Sequence, residues 1–348
     1  MALLAVATEL ARAGNEVDVA GSGDPPAETP YTFVRVPSAR RERFERFPTM
    51  PALRSDTAWE DLTFATNLLL SRRVGHYDAT VTCSFPFTHW ALRLKGRGHS
   101  SHIFVTQNGD WPAVSDDAEF RTFRCDGLVC TNPDYFERNR ARWPSALIPN
   151  GIDLDLFKPG PPSRARFGIP AERPVILMVS ALIDSKRVLE GISAVAGLDN
   201  AMLVVAGDGP LRQQVLEAAG SMLPGRFKLL SLAAGDMPDL YRSADVFLHL
   251  SLQESFGNVF LEAWASGLPI VAHDSARLRW ILGDTQYLCE SANLPELQAA
   301  LHAGLAAGAK GTRAGVDRFS WRCVGSQYQD FIQATVKSRA NLTACGNR

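Results

Sequence analysis

No apolar run in the 348 residues approaches the roughly 18 that a membrane-spanning helix requires, so no segment reads as a span. Charge of one sign is also missing. Lys and Arg number 36 against 37 Asp and Glu, so no broad basic field argues for a nucleic-acid partner. The N-terminus is apolar but has no basic lead and carries Glu9 and Arg12, unlike a signal peptide. The cysteines are Cys83, Cys125, Cys130, Cys289, Cys323 and Cys345, and only Cys125 and Cys130 are close. One Cys-x4-Cys without a second pair is a poor zinc site. Buried, free thiols in a reducing cytoplasm are expected instead. There the sequon Asn341-Leu-Thr343 has no meaning. No Gly-x-Gly-x-x-Gly follows a strand, and Gly21-Ser-Gly23 is only a fragment of one, which argues against a dinucleotide dehydrogenase. Short-period repeats and low-complexity tracts are missing too.

What is present is alternation, over a length that suits two cores rather than one. A helix is expected over 2–13, closed by Gly14, then strands over 16–20, 79–83, 103–106, 127–131 and 146–148. Residues 148–162 are dense in turn formers and mark a boundary. The alternation restarts with the buried-strand run 174–180. Helix 187–197, strand 201–206, helix 210–222, strand 227–232, helix 236–243 and strand 245–251 follow. Strand 269–273, helix 276–282, strand 286–289 and helices 294–307 and 321–337 complete the reading. Near-continuous apolar strands between helices imply parallel sheets covered on both faces. The expected fold is α/β: two Rossmann-like, doubly wound parallel-sheet domains facing across a cleft. The expected boundaries are an N-terminal domain over 1–150, a second domain over 151–318, and a C-terminal helix and tail over 319–348.

Between strand 245–251 and the next lies Glu254-Ser-Phe-Gly-Asn-Val-Phe-Leu-Glu262. Gly257 marks a turn, and Asn258 is positioned to cap a helix over 259–265. Along one unbroken helix the two carboxylates would stand roughly 80° apart; across a loop they can face two ends of one ligand. The free N–H groups at such a helix start favour an anion such as phosphate. Carboxylates repel phosphate but accept hydrogen bonds from vicinal hydroxyls. A diphosphate with a sugar at each end uses all of these groups, which describes a nucleotide-sugar. Lys186 follows the first strand of the second half and would offset charge on a leaving diphosphate. Gly207 and Gly209, in Gly-Asp-Gly-Pro210, would let backbone approach the ligand. Lys186 alone reads as a solvated side chain, the glycine run as a turn, and the glutamates as partners of a helix dipole. Their common position at the strand ends of one sheet favours the ligand site.

The second half resembles the donor domain of retaining glycosyltransferases of the GT-B fold, family 4. The motif Glu254-Ser-Phe-Gly-Asn-Val-Phe-Leu-Glu-Ala-Trp-Ala-Ser-Gly-Leu-Pro-Ile-Val271 carries the resemblance. Pro149-Asn-Gly-Ile-Asp153, Leu240-Tyr-Arg-Ser-Ala-Asp245 and Phe319-Ser-Trp321 support it. The resemblance covers about residues 100–335. It implies a nucleotide-diphosphate sugar as donor, no cofactor and no metal. Glu254 would contact hydroxyls of the transferred sugar, Glu262 the ribose, and the backbone of Phe256, Gly257 and Asn258 the sugar and phosphates. Lys186 matches the phosphate-binding lysine. It also implies front-face displacement, the leaving phosphate helping to deprotonate the acceptor.

Two departures stand out. Where many members read Gly-Arg-Leu, this chain has Ser180-Ala-Leu182, leaving Arg187 as a candidate second phosphate ligand. Members also begin with a strand and glycine-rich loop ahead of the first helix, whereas this chain opens inside what looks like that helix. A longer native protein, or a shortened one, is expected. On the acceptor side, Asn108, Asp110 and Trp111 follow strand 103–106 and are candidates for acceptor hydroxyls and a sugar face, or for a turn around a buried tryptophan. The strand end Thr131-Asn-Pro133 is a weaker candidate, and His89 and His102 read as structural. The acceptor would be a glycan, a lipid-linked sugar or a small molecule. The basic run Arg40–Arg46 reads as a solvated loop, or as a contact with an anionic acceptor or with anionic lipid heads, the last of which would put a cytoplasmic protein at the inner membrane face. A nucleotide-sugar epimerase of the same fold, and a truncated non-catalytic nucleotide-sugar-binding protein, remain as alternatives.

Overall fold

The computed structural model describes residues 2–50, 52–71, 77–96, 100–107, 118–252, 254–283, 286–308 and 313–346. The chain divides into two compact units: residues 152–320, and residues 1–151 together with 321–348.

The first unit opens with helix α1 (Ala2–Arg12), followed by strands β1 (Asp18–Gly21) and β2 (Thr32–Arg35), paired in parallel. Helices α2 (Asp56–Leu70), α3 (Phe87–Lys95) and α4 (Pro133–Asn139) intersperse strands β3 (Ala79–Thr82), β4 (Ser101–Val105), β5 (Gly127–Cys130) and β6 (Ser145–Leu147). These four strands form a second parallel sheet in the order β3-β4-β5-β6. The strands of this unit therefore stand in two sheets, joined by a hydrogen bond from Tyr77 to Asp18 Oδ2 at 2.7 Å. β4 is buried along its whole length, and its side chains alternate. Ile103 and Val105 enter a cluster with Val6 of α1 and Val324 and Tyr328 of α11 (Trp321–Gly346), while Phe104 enters another with Phe123 and Leu128. The C-terminal helix, expected over 321–337, thus runs to 346 and packs with the first unit.

The second unit carries β7 (Val175–Val179), α5 (Val188–Ala196), β8 (Met202–Ala206), α6 (Arg212–Met222), β9 (Phe227–Leu230) and α7 (Met237–Arg242). It continues with β10 (Val246–His249), α8 (Asn258–Ala265), β11 (Ile270–His273), α9 (Ala276–Leu282), β12 (Tyr287–Cys289) and α10 (Leu294–Ala307). Its six strands are parallel, in the order β12-β11-β10-β7-β8-β9. Val175, Leu177 and Phe247 face one apolar layer; Ile176, Met178, Val246 and Leu248 face the other. Two filled layers explain the unbroken apolar strands. In this order the winding reverses between β7 and β10, and ligands of open α/β sheets bind outside the carboxyl ends of strands at such a switch point.

Candidate functional site

Lys186 and Glu254 follow the two switch-point strands. β7 leads into a short 3-10 turn, Asp184–Lys186, and the loop after β10 carries Glu254. The ammonium of Lys186 bonds to Oε1 of Glu254. The same oxygen accepts from Nε2 of His249 at 2.9 Å, and His249 is buried at the end of β10. Burial alone would raise the Glu254 pKa; the bonds from His249 and Lys186 outweigh it and hold the carboxyl at about 2.

Glu262 lies in the second turn of α8, where Oε2 accepts the hydroxyl of the fully buried Tyr241 at 2.7 Å. Burial raises the pKa of this carboxyl, against the lowering effect of the Tyr241 bond. The two motif carboxylates therefore sit in opposite electrostatic settings. Glu254 is held ionised by two donors, whereas Glu262 is destabilised by burial with one neutral donor.

The turn between them differs from expectation. Gly257, at φ 87°, is the N-cap of α8, and Asn258 is its first helical residue rather than its cap. Glycine at the N-cap has no side chain with which to cap this end. A Cβ on Gly257 would meet the Phe260 ring at 2.6 Å, so glycine is required both by φ and by space. Phe256 is 2% exposed and packs with Trp280 and Phe319, leaving only its backbone for a ligand.

Gly207 and Gly209 are also tied to the loop after β7. A Cβ on Gly207 would lie 1.8 Å from the Ser180 carbonyl oxygen, and one on Gly209 2.6 Å from that of Leu182. The close approach they permit is loop on loop, sealed by Leu182 N–H to Asp208 O at 2.9 Å. Beside these loops lies a cavity of about 410 Å³, walled by Ser180, Gly207, Asp208, Ser231, Leu232, Met237 and Val259. The Ser180 hydroxyl is buried, and among the described residues it has no hydrogen-bond partner.

Arg187 is engaged elsewhere. Its backbone is left-handed, at φ 53°, and its guanidinium donates to Ser291 Oγ at 2.8 Å and pairs with Glu190 at 3.2 Å. It ties the β7 loop to the segment after β12 and leaves Lys186 as the cation bonded to a motif carboxylate. In the first unit, Asn108, Asp110 and Trp111 lie outside the described residues. Asn132 caps α4, accepting from Tyr135 N–H at 2.9 Å. His89 and His102, for which the sequence offered no partners, bond to each other at 3.0 Å in the core, and burial lowers them to about 2 and about 3.

His249 and Tyr241 are the residues that sequence reasoning missed as site partners. The strand alternation held a signal: His249 falls two residues after Phe247, on the face toward α8.

The second unit thus gathers a lysine, two carboxylates and a helix start around the switch point of a doubly wound parallel sheet. Residues 173–306 match the family described as Glycosyl transferases group 1. The chain is 29% identical over 182 residues to the lipopolysaccharide core biosynthesis glycosyltransferase LpsE of Rhizobium meliloti, covering 52% of each. It thus spans about half the length of that relative. Among solved structures, sucrose-phosphate synthase of Thermosynechococcus elongatus superposes with a TM-score of 0.72 at 19% identity, over 96% of this chain and 92% of that one. HepE of Anabaena, solved with UDP and glucose, gives a TM-score of 0.69 at 17% identity, over 96% and 95%. At these identities the structures establish the fold, which is GT-B.

Proposed function

We propose that the protein is a retaining, metal-independent glycosyltransferase that moves a sugar from a nucleoside-diphosphate sugar to a hydroxyl of a glycan, lipid-linked or small-molecule acceptor. The observation that carries this reading is the placement of Lys186 and Glu254 after the two switch-point strands, with Glu262 one helical segment further on. The cavity beside Ser180 takes the nucleotide, and the unpartnered hydroxyl in its wall finds a partner there. Glu262 accepts from the ribose, and Glu254 from the transferred sugar. Lys186 and the N-terminal amides of α8 receive the diphosphate. These groups supply the charge compensation that a divalent cation would otherwise bring.

In the step itself, the acceptor oxygen bonds to the anomeric carbon on the face the diphosphate leaves. The carbon–oxygen bond to phosphate breaks, its electron pair departs with the nucleoside diphosphate, and the acceptor proton passes to a phosphate oxygen. Configuration is retained. Support for the donor class comes from the neighbour solved with UDP and glucose. The free, buried thiol of Cys289 suits a reducing, cytoplasmic compartment. No helix among the described residues is long and apolar enough to cross a membrane. The run Arg40–Arg46 instead offers a peripheral contact. It leads into Phe47 and Met50, 49% and 44% exposed, and together they suit anionic lipid.

Transfer from labelled nucleotide-sugars, with and without EDTA, tests this function. The expected product keeps the donor's anomeric configuration and forms equally with chelator; an inverted product, or loss of transfer with EDTA, contradicts it.

A further inference from the structure

His249 is 2% exposed and closes β10. Its ring is held by two phenyl rings: Phe247 lies parallel at 6.1 Å between centroids, and Phe260 of α8 meets it edge-on at 4.9 Å. Nε2 lies 2.9 Å from Oε1 of Glu254. An ionised carboxylate only accepts, so the proton of this bond sits on the imidazole.

Lys186 shares that oxygen, but the two donors differ mechanically. Lysine carries a compact charge on a flexible four-carbon stem. The imidazole has two side-chain torsions, both fixed by packing. A diphosphate entering beside Lys186 competes for its ammonium, and the ammonium can swing to it. The imidazole cannot follow. Tyr241 holds Glu262 in a comparable way, and its ring packs 5.8 Å from Phe247, on which His249 also lies. Each motif carboxylate is thus held by a buried ring, and the two rings share Phe247 as a neighbour.

We propose that His249 is a positioning residue that keeps the Glu254 carboxylate aimed at the transferred sugar after the donor diphosphate draws Lys186 away. The proposal rests on the donor-site reading above. Calorimetric titration of a nucleoside diphosphate and its sugar conjugate into the wild type, His249→Phe and His249→Gln, with turnover measured on each, tests it. In His249→Phe the free nucleotide should bind as in the wild type, while turnover and the added affinity conferred by the sugar should fall about tenfold or more. His249→Gln, whose amide can still donate, should recover part of both.

Unchanged turnover in His249→Phe overturns the proposal. So does an equal loss of free-nucleotide affinity, which marks a merely structural histidine, or a failure of His249→Gln to exceed His249→Phe. If the phenylalanine variant does not fold, a glutamine variant with wild-type turnover and sugar affinity supports the role, and one without either overturns it. Failure of the underlying donor-site reading is distinguishable, because it appears in the wild type as an absence of any nucleoside-diphosphate binding.

Discussion

The hydroxyl of Tyr241 donates to Oε2 of Glu262 at 2.7 Å, joining α7 to α8 beneath the switch point. The phenol is fully buried, and the carboxylate it holds is one that burial disfavours. A buried carboxyl whose pKa is raised by burial is a candidate ligand-binding group.

Replacing Glu262 by Gln should therefore separate stability from binding. The amide oxygen still accepts from Tyr241, but no charge is buried. Because burial raises the folded pKa of Glu262, the ionised form opposes folding at neutral pH, and the neutral isostere should raise Tm. Nucleotide affinity should fall as ribose hydroxyls lose a charged acceptor, by roughly 1.5–3 kcal/mol. Parallel thermal melts and titrations check both signs.

Glu254→Ala should divide from Glu262→Ala. The first should spare free nucleotide and damage use of the sugar donor; the second should weaken both. Equal losses of free-nucleotide affinity would refute the assignment of one carboxylate to each sugar.

Glu254 also predicts an acid response. Its folded pKa of about 2 lies below the ordinary 4.5, so the ionised carboxylate contributes stability above pH 4.5 that is lost as pH falls toward 2. Denaturant unfolding at pH 5 and pH 3 should show a smaller loss in Glu254→Gln than in the wild type. Identical losses would mean that the bonds from Lys186 and His249 are not made in solution.

Two glycines give a paired test of the loops. Gly207→Ala forces a Cβ to within 1.8 Å of the backbone oxygen of Ser180, so the β7 and β8 loops must part, at a cost of about 1–3 kcal/mol. Gly220, inside α6, has nothing within 4 Å of its virtual Cβ. Gly220→Ala should stabilise by about 0.5–1 kcal/mol. Urea midpoints read both.

The strands of the second unit were legible because two covered faces demand near-continuous apolar runs. β2 and helices α2, α3 and α4 were not. α3 follows the apolar Phe85-Pro86 without a polar break, and β2 is only four residues long. Lys186, Glu254 and Glu262 were legible because strand-end loops and one motif carry them. His249 and Tyr241 were not, since their partners emerge only when β10, α7 and α8 come together. The bond from Arg187 to Ser291 was likewise not legible, since the segment after β12 reaches the β7 loop only in the fold. Gly207 and Gly209 were recognised as sites of close approach; that the loop after β7 also packs on them was not legible.

Lys186→Met removes the cation proposed for the diphosphate and one donor to Glu254, while the His249 bond remains. The decisive measurement is titration of nucleoside diphosphates, without divalent metal, into the wild type and this variant. One nucleoside diphosphate should bind the wild type and bind Lys186→Met about tenfold or more weakly, with the fold intact. Equal affinity in the two proteins, or no binding to a folded wild type, would contradict it.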